Sequence, residues 1–259
     1  MEAAFGEKDI LDATNKVRTD PKCLIPLIEE ELSYMKDGVI WKPGTTVGMR
    51  THENGVAHRE AIGFLEKQAP LAALKWDDNL AKAAADHAKD IGPAGVTGHT
   101  GTDGSSMSQR IERYTKWSGR IGENIDFGTK PSALHVLMAL VVDDGVSTRG
   151  HRKNTFSEDF TLCGVGVAPH TGYGTNYVFD FAGSTGEGAG GGGGGGGAGA
   201  DIPYDMNNDP DWPEDATGVS ISVSTKTEGN KTIKTTTKTY TLKGGATQTV
   251  TQTQTTIRS

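Results

Sequence analysis

An α+β chain is what this sequence predicts, with helices and strands segregated along it. Apolar residues recur at helical spacing through most of residues 10–142. Two strand-like runs follow, Val165–Ala168 and Tyr177–Phe181, joined by a Gly-containing turn at His170–Gly174. Strands collected at one end favour an α+β sandwich over a wound parallel sheet, whose strands would alternate with helices.

Ile10, Ala13, Thr14 and Val17 share one helical face, and Asp20-Pro21 stops that run. A second helix is expected over Leu24–Met35, with Glu29 to Glu31 on its wet face. Residues 37–58 contain five glycines and prolines at 38, 43, 44, 48 and 55 and are read as loop. Ala57–Lys67 returns to helical spacing. Asp77 is placed to cap a helix whose buried face is Leu80, Ala84, His87, Ala88 and Ile91. Gly92–Gly104 is a loop carrying His99, and Ser106–Trp117 a short helix. After Gly119–Gly128 an amphipathic helix carries Leu134, Leu137, Met138, Val141 and Val142 on its stripe, ending at Asp143-Asp144-Gly145.

Beyond residue 183 the composition changes. Residues 190–197 are eight consecutive glycines, the centre of a flexible 184–200 linker. Residues 201–218 carry six acids and no Lys or Arg. In 219–259, Val219, Ile221 and Val223 alternate, and Thr232–Leu242 is β-prone. Turns at Glu228-Gly229-Asn230 and Lys243-Gly244-Gly245 sketch a three-stranded meander, with plain disorder as its rival. Lys226, Lys231, Lys234, Lys238 and Lys243 give that tail cationic, β-prone strands suited to docking on a partner.

With a net charge of −7, the 259-residue chain offers no overall basic face for nucleic acid. No window has the ~18 consecutive apolar residues of a membrane span. The acidic start is not a secretory signal. Two cysteines, Cys23 and Cys163, do not make a disulfide framework, so a reducing, intracellular setting is expected.

Chemistry concentrates in four short segments: Gly98-His99-Thr100, Gly122-Glu123-Asn124-Ile125, Asp143-Asp144-Gly145 and Arg149-Gly150-His151-Arg152. Read from residue types, they are loops or element ends. Histidines with carboxylates suit proton transfer at neutral pH or a divalent metal, and equally a hydrogen-bonded cluster that fastens loops. Arg149 and Arg152 could attract an anionic group or form a solvated edge. His87 reads as a core histidine with one partner, and Cys163 as a small buried hydrophobe. Asp103-Gly104-Ser105-Ser106 reads as a turn into a helix cap rather than a nucleophile site.

Six motifs in order also carry a family resemblance: Asn15-Lys16-Val17-Arg18, Leu74-Lys75-Trp76-Asp77, Gly98-His99-Thr100, Gly122-Glu123-Asn124-Ile125, Gly150-His151-Arg152 and Gly164-Val165-Gly166-Val167. Residues 8–183 thereby resemble the CAP superfamily of cysteine-rich secretory, antigen 5 and pathogenesis-related proteins. The resemblance implies a three-layer α-β-α sandwich over residues 1–183, with a cleft lined by two histidines and two acids. His99, His151 and Glu123 take three of those positions. The fourth falls to Asp144 or Asp143, and continuation of the helical stripe favours Asp144. The short Asp-Asp-Gly loop looks more like microbial and protist members than animal ones.

The function expected from these readings is a non-catalytic, intracellular binding or structural module. Its tail would dock it into a large assembly, with a cilium or a tubulin-based axonemal array as the candidate cytoskeletal setting. The rivals are a lipid or sterol carrier, for which no distinctive apolar loop is visible, and a zinc-dependent hydrolase using His99, His151 and Glu123. Zinc held by His99 and His151 is the one cofactor expected. A location outside the cell would need a route that the sequence does not reveal.

Overall fold

The computed structural model describes residues 5–186, 216–228, 231–242 and 246–257. It divides into two compact units, 1–193 and 194–259. In the first, helix α1 (Glu7–Thr19) is followed by a 3-10 turn (Pro21–Leu24) and helix α2 (Ile25–Ser33). Next come short strands β1 (Met35–Lys36), β2 (Val39–Ile40) and β3 (Met49–Arg50), then α3 (Val56–Leu65), β4 (Lys75–Trp76) and α4 (Asp78–Ala94). Helix α5 (Met107–Glu112), strand β5 (Trp117–Phe127), helices α6 (Ala133–Val142) and α7 (Gly150–Thr155), and strands β6 (Leu162–His170) and β7 (Gly174–Thr185) complete it.

The main sheet has the order β4-β6-β7-β5. Its long strands pair antiparallel, and β4 joins β6 in parallel. Side chains alternate across a strand, so β7 serves both neighbouring layers. Tyr177, Phe179 and Phe181 enter a core with Ile10, Val17 and Leu137 from α1 and α6. Val178 packs instead with Ala84, Ala88 and Ile91 of α4, and Ala182 with Leu80 and Ala83. Helices therefore cover both faces, giving the α-β-α sandwich that the resemblance implies.

The motif residues fasten these layers. Asn15 accepts from Leu74 N–H and donates to Leu74 C=O, at 2.7 and 2.9 Å. The fully buried Arg18 donates to the carbonyls of Ala72, Thr155 and Ser157. Asp77 caps α4 by accepting from Asn79 and Leu80 N–H, as its position suggests.

The motif segment around Gly122, read as a loop or element end, is a strand, and segment 37–58, read as loop, contains two. Gly119–Gly128 lies almost wholly in β5, where a Cβ at Gly122 would sit 2.8 Å from the Phe160 ring. Glycine there marks close packing rather than a turn. Within 37–58, β2 pairs with β3 on one side and with β1 on the other in a small antiparallel sheet, Met35 opposite Ile40 and Ile40 opposite Met49.

In the second unit, β8 (Ala216–Glu228), β9 (Lys231–Leu242) and β10 (Thr247–Ile257) form an antiparallel sheet in the order β10-β9-β8. This is the meander that the tail sequence sketches. The backbones of Lys226, Lys231, Lys234 and Lys238 lie in β8 and β9. The expected linker core, the acidic segment before residue 216 and both turn centres, with Lys243, lie outside the described residues.

Strand β6 is glycine-rich because α4 lies directly on it. A Cβ on Gly164 would fall among the backbone atoms of Leu80 and Ala81, and one on Gly166 among those of Ala84 and Ala85. Neither stretch of helix backbone can yield locally. Gly164→Ala should therefore cost at least about 3 kcal/mol, measured as a lower urea midpoint. An unchanged midpoint would contradict this packing.

Candidate functional site

Strand β5 is an edge strand, and its consecutive residues Glu123 and Asn124 point to opposite layers. Glu123 sits opposite Asp180, and Asn124 opposite Phe179. On the α4 side, the His99 Nδ1 lies 2.7 Å from Glu123 Oε1. The second carboxylate oxygen, Oε2, accepts from Arg110 of α5 at 2.6 Å. Arg110 in turn donates to the carbonyls of His99 and Ser105, so one guanidinium fixes both the acid and the loop.

On the other side, Asn124 donates to the His151 carbonyl at 3.1 Å and accepts from Asn154 at 3.0 Å. His151 lies in the first turn of α7, and its Nδ1 is 2.7 Å from Asp143 Oδ1. The backbone N–H of His151 also donates to Asp143 Oδ2 at 3.0 Å. The His99 and His151 ring centroids are 6.5 Å apart. Each ring is thus held from behind by its own buried acid, and the two rings face each other across the edge of the sheet.

Burial alone would push the Glu123 carboxyl up, but His99, Arg110 and His87 hold it at about 2. It is therefore ionised and can only accept, so His99 Nδ1–H is the donor in their hydrogen bond. Fully buried His87 has its Nε2 2.9 Å from the Gly98 carbonyl and 4.0 Å from Glu123. Burial lowers its pKa. It is the core histidine that its helical face suggests.

The expected cleft acid shifts by one residue. Asp143, not Asp144, meets His151, while Asp144 accepts from the N–H groups of His52 and Glu53 at 2.7 and 3.0 Å. The stripe argument fails because α6 ends at Val142 and Asp143 is left-handed, with φ +58°. Helical periodicity does not extend through such a residue. The anion-binding expectation for Arg149 and Arg152 is corrected too. Arg149 pairs with Glu53 and Glu60 at 2.6 and 2.8 Å, and Arg152 with Glu60 at 2.7 Å. Both also donate to backbone carbonyls at the end of α6. They are internal braces, neither open to an anion nor a solvated edge.

Ser106 caps α5 by accepting from Gln109 N–H, and Asp103 accepts from Ser105 N–H, which is the turn-and-cap arrangement. Several participants escape sequence reasoning. Arg110 lies on a short helix with no distinctive motif. Asp126, 2.9 Å from Lys130 Nζ, has its carboxyl pushed by burial to about 6. Fully buried Asp180 faces Glu123 across the β5–β7 pairing. Burial, then repulsion from Glu123, raises its pKa well above the usual carboxylate range.

With the site assembled, the family can be tested directly. The profile of the cysteine-rich secretory protein family, CAP, matches residues 11–181. The chain belongs to this family. Among curated proteins it is similar to YlbC of Bacillus subtilis (strain 168), described as an uncharacterized membrane protein, with 30% identity over 97 residues. That match covers 38% of this CAP chain and about a quarter (26%) of YlbC.

Three solved structures are also similar. An extracellular protein containing a SCP domain from Bacillus anthracis str. Ames has 27% identity and a TM-score of 0.35, over 43% of this chain and 34% of that one. An outer surface protein from Borrelia burgdorferi has 23% identity and a TM-score of 0.36, over 43% and 78%. BmVAL-1 has 18% identity and a TM-score of 0.31, over 71% and 82%.

The intracellular location expected from the cysteine count, and the cytoskeletal setting expected from the tail, are corrected by the family match, since the family that covers residues 11–181 is described as one of secretory proteins. Cysteine scarcity marks a compartment only where a small domain needs disulfides to stay folded. This CAP domain has a continuous core spanning α1, α6 and the sheet, and Cys163 is buried within it.

A CAP cleft raises the question of zinc. Carboxylates behind both Nδ1 atoms direct each neutral imidazole to use Nε2, the arrangement found behind zinc-bound histidines. The chemistry of the pair fits a metal. Two imidazoles sharing a tetrahedral zinc at ~2.1 Å would have centroids about 5.3 Å apart. The observed pair would have to close by about an ångström. Among the described residues there is no group of three or more metal-ligating side chains, so water or a ligand would complete the coordination.

Two consequences can be measured. Asp143→Ala should free the His151 ring and change its tautomer populations in ¹⁵N spectra, whereas Asp144→Ala should leave them unchanged. The reverse pattern would restore Asp144 as the cleft acid. Glu123, with its pKa depressed from 4.5 to about 2, contributes stability that is complete above about pH 4.5 and lost as pH falls toward 2. Glu123→Gln should cost about 3 kcal/mol at pH 7, and the wild-type and variant stabilities should converge over that acidic window. Parallel stability curves across it would refute the assignment.

Proposed function

We propose that this chain is a ligand-binding CAP module whose cleft binds through His99 and His151 and does not turn over a substrate. The observation that carries this reading is the state of Glu123, whose two oxygens are committed to His99 and Arg110. A general base works best with a pKa near the operating pH. A carboxylate held at about 2 is far too weak a base for that task. Ser105 and Ser106, the nearest serines in sequence to His99, are engaged in a turn and a helix cap. A setting outside the cell is part of the reading, in keeping with a family named for secretory proteins.

A zinc-bound form of the same cleft is favoured by the paired carboxylate–histidine contacts. His99 and His151 would supply the two protein nitrogens, and a bound zinc would offer a Lewis-acidic position to an anionic or carbonyl ligand. A lipid or sterol ligand rests on family membership rather than on a feature of this cleft.

Thermal melting of the full chain with ZnCl₂ tests the pair. Zinc should raise Tm in the wild type, because a ligand that binds only the folded state stabilises it. The increment should vanish in both His99→Ala and His151→Ala. An equal increment in both variants would place zinc elsewhere. A turnover reaction eliminated by Glu123→Gln in a folded protein would replace the binding reading with an enzymatic one.

A further inference from the structure

We infer that the β2–β3 hairpin is a docking element for an anionic lipid surface. Segment 37–58 reads as a featureless loop, yet it carries an unusual surface. Trp41, Val47 and Met49 of the hairpin, with Val56 just beyond it, are four of the seven large hydrophobic residues exposed among the described residues. Val47 is 80% exposed and Trp41 48%, so neither serves the core. Pro43, Gly44, Thr45 and Thr46 are exposed between them at the hairpin tip.

The hairpin holds this surface in place. Lys36, Val39 and Arg50 form one rung across β1, β2 and β3, so their side chains share a face. Trp41 follows Val39 by two residues and returns to that face. A Cβ at Gly48 would sit 2.9 Å from the Trp41 ring, so the missing side chain lets the indole lie against the hairpin backbone. The opposite face holds Ile40 and its cross-strand partner Met49, and there the buried Ile40 anchors the hairpin.

Charge complementarity identifies the occupant. Residues 35–50 hold Lys36, Lys42 and Arg50 against the single acid Asp37, in a chain whose net charge is −7. Lys42 reaches back to Glu31 of α2 at 2.8 Å, so Lys36 and Arg50 are the cations assigned to the surface. The patch is locally cationic on an anionic protein. An indole flanked by Lys and Arg is suited to the headgroup level of a bilayer, where its apolar body and polar edge are both accommodated. A protein partner would require roughly 800 Å² per side for a standard interface. A hairpin that presents Trp41 with the tip residue Val47 is small for that, but sufficient for shallow insertion.

The test is co-sedimentation of the full chain with phosphatidylcholine vesicles containing phosphatidylglycerol, beside vesicles of phosphatidylcholine alone. Binding should favour the anionic vesicles and weaken with salt. Trp41→Ala with Val47→Ser should reduce it severalfold. Lys36→Glu and Arg50→Glu should each reduce it at least about fivefold. All four sites are exposed, so an unchanged melting curve checks that the variants remain folded. Absence of anionic-vesicle binding overturns the inference. So does binding that these substitutions leave intact, which would transfer the lipid contact to the lysine-rich tail.

Discussion

The cleft depends on one constraint, the alternation of side chains along an edge strand. Glu123 and Asn124 are neighbours in β5, so one must face α4 and the other must face α7. Glu123 takes the His99 ring, and Asn124 takes the His151 backbone. Two histidines separated by more than fifty residues are thereby brought to the same sheet edge. Neither a helix nor a loop would present consecutive side chains to opposite layers so simply. The charge of Glu123 is then balanced by Arg110, since an unpaired buried carboxylate would cost several kcal/mol. Asp180 lies opposite Glu123 on the same face, and burial together with the Glu123 charge raises its pKa well above the usual range.

Those dependencies explain which parts of the site are legible in the sequence. The histidines and Glu123 stand in short distinctive motifs, so their types and order disclose them. Arg110 and Asp180 have no such signal. Their importance arises from strand register and from the arrival of α5, both tertiary facts. The choice between Asp143 and Asp144 is missed for a local reason. A left-handed residue after Val142 ends the helix two positions short of Asp144, to which periodicity carries the stripe, and the following side chains change direction. Gly122 misleads in a related way. In sequence it looks like a turn signal, whereas in the fold it makes room for Phe160.

The fold itself is more accessible. Helical spacing in α1, α4 and α6 and apolar runs in β6 and β7 are strong enough to survive the glycine content between them. The tail meander follows from alternation and turn residues, even with few apolar side chains. The small β1–β3 sheet is hidden because strands of two residues are too short to establish a period. Its exposed hydrophobic residues also violate the usual expectation that apolar residues in a globular domain face inward, a departure that often marks an interaction surface.

That hairpin is not independent of the cleft. Just beyond β3, the His52 and Glu53 N–H groups bind Asp144, and Glu53 pairs with Arg149. Asp144 follows the acid that orients His151, and Arg149 donates to the Asp143 carbonyl at 2.9 Å. A hydrogen-bonded path therefore runs from the hairpin through the end of α6 to the His151 ring. The Glu53 carboxyl is drawn down to about 2, chiefly by its hydrogen bonds to Arg149, so this latch stays ionised through neutral and mildly acidic pH. A hairpin seated on a surface would thus hold the His151 side of the cleft at a defined distance from that surface. Arg149 and Arg152 acquire a role on this view that neither an anion site nor a solvated edge would give them. They make the hairpin, α3 and the end of α6 one mechanical unit beside the cleft.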